Sequence, residues 1–235
     1  KLNVVIAEQI ANSWENIESH KKNYTICEKA IEYFRDKQAD YSRFTQIRAL
    51  EELRWEVSFM QYDLACSMNT YLKADSNAER SISFMRAYRI ETSALSHLYG
   101  YNDKYREKSI WNKIRTVPEF NAIQLSNEIE DELKSMTSHL DLTKRNLYTH
   151  YREDAKLNIS ERWQCANGMN HPKELMQMLR LVTLCKKIDH FLVLLISSIR
   201  LTEKRKNYEM LKPIRKIKEL AYKYNQQEIV EMSER

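Results

Sequence analysis

The chain has 235 residues, 30% charged and 43% apolar, with two Gly, three Pro and a net charge of +5. Glycine supplies the positive backbone angles of tight hairpins and proline punctuates loops, so this scarcity excludes a turn-rich sheet protein and predicts an all-α fold. The two glycines, Gly100 and Gly168, stand apart from each other, which excludes a glycine-rich phosphate loop.

The first predicted helix runs from about Asn3 to Lys37, with Ile6, Ile10, Trp14 and Ile17, then Cys27, Ile31 and Phe34, recurring at helical spacing. The second runs from Tyr41 to Leu72, where Leu50, Leu53, Val57, Met60, Leu64, Met68 and Tyr71 keep the same rhythm. Ser76 and Glu79 then have capping-box spacing, in which each side chain satisfies a free amide at a helix start. The third helix carries Ile82, Met85, Leu95 and Leu98 and stops at Gly100, a left-handed terminator. Residues 101–118 read as a polar linker with a short helix around Trp111, closed by Pro118.

The fourth helix is predicted from about Glu119 to Tyr151, with Ile129, Leu133, Met136, Leu140 and Leu147 on its core face. An irregular stretch follows. Pro172 then opens the fifth helix, whose inner face is Leu175, Met178, Val182, Cys185, Ile188, Leu192, Leu195 and Ile199. It is apolar nearly all round from Ile188 to Ile199, which makes it the expected central element. Pro213 interrupts the tail, which resumes as a charged amphipathic helix to about Met232. The expected architecture is an up-and-down bundle of four core helices over residues 41–203. An extra N-terminal helix (1–40) packs on it, and a basic tail (204–235) follows.

Charge is uneven. From Arg200 to Lys223 there are nine Lys or Arg against three Glu, a local +6 that leaves the rest of the chain near −1. Such a segment suits nucleic acid, an acidic partner or plain solvent. The longest strongly apolar run, Phe191 to Ile196, falls far short of the roughly 20 residues of a membrane span. No signal peptide is visible at the start. Cys27, Cys66, Cys165 and Cys185 are widely spaced without a CxxC, so reduced thiols in a cytoplasmic chain are expected.

The stretch that carries chemistry is Lys144 to Glu153, KRNLYTHYRE. Asn146 and His150 lie four apart and share one helix face. The imidazole of His150 gives and takes protons near neutrality. The planar fork of Arg145 suits a phosphate. An Arg, a polar residue directly after it and a His four residues further resembles the motif of the HEPN superfamily. That family's fold is an all-helical bundle with the motif near the end of one core helix, before the last.

The resemblance covers residues 41–203, with Arg145, Asn146 and His150 as its specific part. It implies a dimeric, metal-independent endoribonuclease that needs no cofactor, of toxin–antitoxin or phage-defence type, with RNA as substrate and an antitoxin or defence protein as partner. His150 is then the acid–base group, Arg145 the stabiliser of charge on phosphorus, and Asn146 the group that orients His or phosphate. Tyr148 and Tyr151 are candidates for stacking on unpaired bases, and Lys144 and Arg152 for holding flanking phosphates. Some family toxins carry a Tyr two residues after the His. Here that place is Arg152, so the resemblance does not extend to tyrosine modification.

Other groupings read as structural. His139, Cys165 and His171 lack the short ligand spacing of a structural zinc site, apart from the loose pair Cys165 and His171. Asp189 and His190 read as a hydrogen-bonded polar pair at a bundle edge or interface. Glu51-Glu52 and Glu130-Asp131-Glu132 read as solvated faces. Alternatives to the ribonuclease are a non-catalytic helical dimerisation module and an RNA-binding helical protein that uses the basic tail.

Overall fold

A computed structural model of the chain describes residues 2–140, 164, 168 and 170–223. Among them are seven α-helices and one 3-10 turn. They are α1 (Leu2–Asp36), α2 (Ser42–Leu72), α3 (Asn77–Leu98), α4 (Asp103–Arg106), α5 (Ile110–Arg115), a 3-10 turn at Phe120–Ala122, α6 (Leu125–Ser138) and α7 (His171–Lys223). The fold is an all-α helical bundle. The chain divides into two compact units, residues 1–193 and 194–235. Within the first unit, side-chain pairs give the direction of each helix. Gln9 meets Gln61, Phe34 meets Phe44 and His97 meets Glu56, so α1, α2 and α3 alternate in direction. Lys187 meets Glu128 while Arg180 meets Glu132, so α6 and α7 are antiparallel as well.

The helix ends follow local chemistry. Ser76 Oγ accepts the Glu79 amide at 3.1 Å, the expected N-cap bond, while Glu79 Oε2 accepts the Asp75 amide at 3.0 Å, one residue before the N-cap amide that a capping box uses. Gly100 has φ +79° and closes α3. A Cβ at Gly100 would stand 2.4 Å from the Arg106 backbone nitrogen, so both conformation and space require glycine. At the start of α7, Pro172 occupies the second helical position, and Asn170 Oδ1 caps the helix by accepting the Lys173 amide at 3.2 Å.

Three expectations change. The fourth helix does not run to Tyr151: α6 ends at Ser138, with His139 as its C-cap and Leu140 outside the helix. Ile129, Leu133 and Met136 are buried as expected, and Leu147 lies outside the described residues. Pro213 does not interrupt the tail, because α7 is helical through it to Lys223. Proline removes one amide donor and crowds the carbonyl four residues back. A helix this long keeps intact turns on both sides of that loss. Residues 101–118 are not simply a polar linker. The short helix at Trp111 forms as α5, and Ile110, Trp111 and Ile114 are all buried. The Trp111 ring meets Phe120 at 5.4 Å and Phe191 of α7 at 5.5 Å.

The buried stripes follow a seven-residue repeat. On α1 the inner positions are Ile6, Ser13, His20 and Cys27, alternating with Ile17 and Ile31. Trp14 is 49% exposed and rests its ring on Tyr62 at 5.6 Å. Successive helical residues turn by about 100°, which puts Ser13 about 20° from Ile6 and Trp14 about 80° away. On α3 the repeat is carried by Ser81, Phe84, Tyr88, Glu91, Leu95 and Leu98, with Ser83, Ala87, Thr92 and Ala94 buried beside them, and Ile82 is exposed. The predicted inner faces of α2 and α7 are buried in all but one position, Met60 being half-buried.

Candidate functional site

The seven residues singled out from the sequence are Lys144, Arg145, Asn146, Tyr148, His150, Tyr151 and Arg152. All lie outside the described residues. Their place in the chain is between the C-cap of α6 at His139 and the N-cap of α7 at Asn170.

The most developed polar constellation in the first unit joins α1, α2 and α7. Arg54 Nε donates to Asp189 Oδ1 at 2.8 Å, and its Nη1 donates to Glu51 Oε2 at 3.1 Å. One guanidinium thus bridges two carboxylates. The His20 ring lies between the same two acids, with Nδ1 3.7 Å from Glu51 and Nε2 3.4 Å from Asp189. Asn23 Nδ2 adds a long contact to Glu51 Oε2 at 3.5 Å. The His20 and Glu51 side chains are only 2% and 4% exposed. Both His20 ring nitrogens are buried and make no hydrogen bond of good geometry among the described residues, so the ring meets the two acids only through these longer polar contacts.

Burial is the largest single influence on Glu51 and pushes its carboxyl up. The neighbouring His20 and Arg54 outweigh it and hold the group below the usual carboxylate range. Glu51 is therefore part of the core rather than a solvated face. Asp189 pairs with α1 and α2 rather than with His190, which is exposed. The cue in the sequence is the spacing of Ile47, Arg54, Gln61 and Met68 at seven-residue intervals, which puts a guanidinium on the seam. Because its central groups are sealed from solvent, this cluster is a clamp between helices and not a substrate site.

The other acidic run behaves similarly in part. Glu130 accepts from Trp111 Nε1 and Arg115, both at 3.3 Å. Glu132 accepts from Arg180 at 3.1 Å and Lys187 at 3.0 Å, tying α6 to α7. Asp131 faces solvent.

A second buried acid, Glu91 on α3, is 3% exposed, and its Oε2 has no hydrogen-bond partner among the described residues. Burial first, and then the charge of Glu174, push its carboxyl up to about 8. His171, one of the three residues weighed for zinc, stacks on Phe84 with centroids 4.1 Å apart and lies 3.1 Å from the Tyr71 hydroxyl. Among the described residues no group of three His, Cys, Asp or Glu is placed to hold a metal ion. Among the described residues Cys27, Cys66 and Cys185 form no disulfide with one another, and burial drives Cys185 up to about 12, which leaves it an inert core residue. Among the described residues no helix is long and apolar enough to cross a membrane. No protein-family model, curated protein or solved structure matches the chain.

Proposed function

We propose that the chain is a metal-independent endoribonuclease of the HEPN type, acting as a homodimer in a toxin–antitoxin or phage-defence setting. The observation that carries this reading is the Arg145-Asn146-x3-His150 pattern, in an all-helical chain and in the segment just before the last long helix. Two copies of the motif face each other across a dimer cleft that admits a single RNA strand.

The chemistry is transesterification. The ribose 2′-oxygen forms a bond to the adjacent phosphorus, the bond from phosphorus to the 5′-oxygen breaks, and the products are a 2′,3′-cyclic phosphate and a 5′-hydroxyl. His150 takes the 2′-proton and returns a proton to the leaving 5′-oxygen. Arg145 stabilises the extra charge on the phosphorane, and Asn146 holds the imidazole or the phosphate in place. Tyr148 and Tyr151 stack on unpaired bases, while Lys144 and Arg152 hold the flanking phosphates.

The test is cleavage of single-stranded RNA in the presence of a chelator. Wild-type protein is expected to cut and to leave cyclic phosphate ends. His150→Ala is expected to lose about 10²–10⁴-fold in rate. A folded His150→Ala protein that cuts at the wild-type rate overturns the assignment. A clean dimer without cleavage assigns the chain instead to a helical interaction module.

A further inference from the structure

The cleft between the end of α2 and the middle of α3 has a volume of about 480 Å³ and is lined by Ser67, Thr70, Ser83, Arg86, Arg89 and Ile90, together with Cys66. That volume lies within the roughly 300–1,000 Å³ of small-ligand sites. Arg86 and Arg89 are exposed and stand one helical turn apart on the same face of α3. Residues so spaced have Cβ atoms about 5–6 Å apart, so both guanidinium groups reach into one concavity.

Neither guanidinium makes an ion pair or hydrogen bond with a described residue, although the Arg89 carbonyl accepts from Thr92 Oγ1 at 3.0 Å. Arg54, Arg115 and Arg180, by contrast, are each held by carboxylates. Among the described residues no carboxylate lines this cleft. Asp63, near Cys66, lies outside the lining. Ser67 and Ser83 add hydroxyls that donate to an anion, and Ile90 gives one apolar wall. A second cleft of about 400 Å³ makes the contrast, since Glu52, Glu56 and Lys113 line it with mixed charge.

We infer that the α2–α3 cleft binds the phosphodiester backbone of single-stranded RNA through Arg86 and Arg89. This inference rests on the ribonuclease reading for its choice of ligand and adds a site apart from the Arg145–His150 motif. Guanidinium groups grip phosphate oxygens through paired N–H donors and read the backbone rather than the base. The cleft therefore contributes affinity and register without sequence preference.

The experiment measures retention of a fluorescent single-stranded oligonucleotide bearing 2′-O-methyl groups, which lacks the attacking hydroxyl and stays intact. Arg86→Glu/Arg89→Glu is compared with Lys21→Glu/Lys29→Glu, an equal charge change at exposed positions on α1. The cleft variant is expected to bind at least about tenfold more weakly. Its slope of log affinity against log salt should be shallower by about 1.4, the loss of two phosphate contacts on a single strand. The α1 control is expected to stay within about threefold of wild type on the same scale.

Equal binding by the cleft variant and wild type, or an equal loss in the control, overturns the inference. Binding of inorganic phosphate at Arg86 and Arg89 without retention of RNA overturns it too. Cleavage of ordinary RNA keeps the two readings apart. If wild type holds the oligonucleotide through Arg86 and Arg89 but cuts nothing, the cleft stands and the ribonuclease fails. If wild type cuts and the cleft variant binds normally, the reverse holds.

Discussion

Glu91 occupies an inner position of α3 where the seven-residue pattern calls for an apolar side chain, and it keeps its proton because burial penalises the charge. The folded carboxyl titrates at about 8 against an ordinary value of 4.5. The folded state therefore binds more protons than the unfolded state between those two values. Stability must fall as pH rises through that window and level off above it. Glu91→Gln keeps the shape and removes the titration. It is expected to be more stable than wild type at pH 8 by a few kcal/mol, with the gap closing near pH 4.5, as read by urea unfolding at several pH values. A gap independent of pH would show that Glu91 does not carry the slope. At Gly100 the expectation is the opposite sign. Gly100→Ala meets both the positive φ and the Arg106 backbone, so thermal unfolding should show a loss of at least about 1–2 kcal/mol.

At the scale of elements, the clamp of His20, Glu51, Arg54 and Asp189 is what sets α1 and α2 in register with the early part of α7. Polar side chains at such seam positions specify which helix faces meet, because any slip leaves a charge buried without its partner. Arg54→Met leaves Glu51 and Asp189 facing each other with only His20 between them. The expected cost is about 3–5 kcal/mol, measured by denaturant unfolding. Adding Glu51→Gln to Arg54→Met should cost less than the sum of the two single changes, since the pair is coupled. Strict additivity would mean that the two groups act independently.

The seam also explains which sequence expectations gave way. Periodicity alone picks the bulkiest apolar residues, hence Trp14 and Ile82. The inner face of a helix is chosen by the partner it meets, and there Ser13 and Ser81 take those places. The short α5 was visible as a pattern, but the burial of Trp111 depends on Phe120 and Phe191, which come from later in the chain.

At the scale of the whole molecule, the proposed function rests on a three-residue motif, Arg145, Asn146 and His150, and the described residues form an all-helical scaffold. The strongest prediction is chemical. Arg145→Ala and His150→Ala should each remove RNA cleavage while leaving the oligomer intact by light scattering. The two losses together should fall well short of the product of the single ones, because both groups serve one transition state. Independent, multiplying effects would separate Arg145 from His150.

The sequence by itself determined the helical class, the positions of most helices, the N-cap at Ser76, the stop at Gly100 and the residue types of the motif. These depend on local chemistry: backbone freedom, capping distance and proton affinity are properties of a few neighbouring residues. The tertiary structure decided that Glu51 is buried, that Asp189 turns to His20 and Arg54 rather than to His190, that α6 ends at Ser138, and that Arg86 and Arg89 share a cleft. All but the end of α6, whose hydrogen bonds are local, turn on groups distant in the chain, whose burial and pairing energies exist only once separate helices have met.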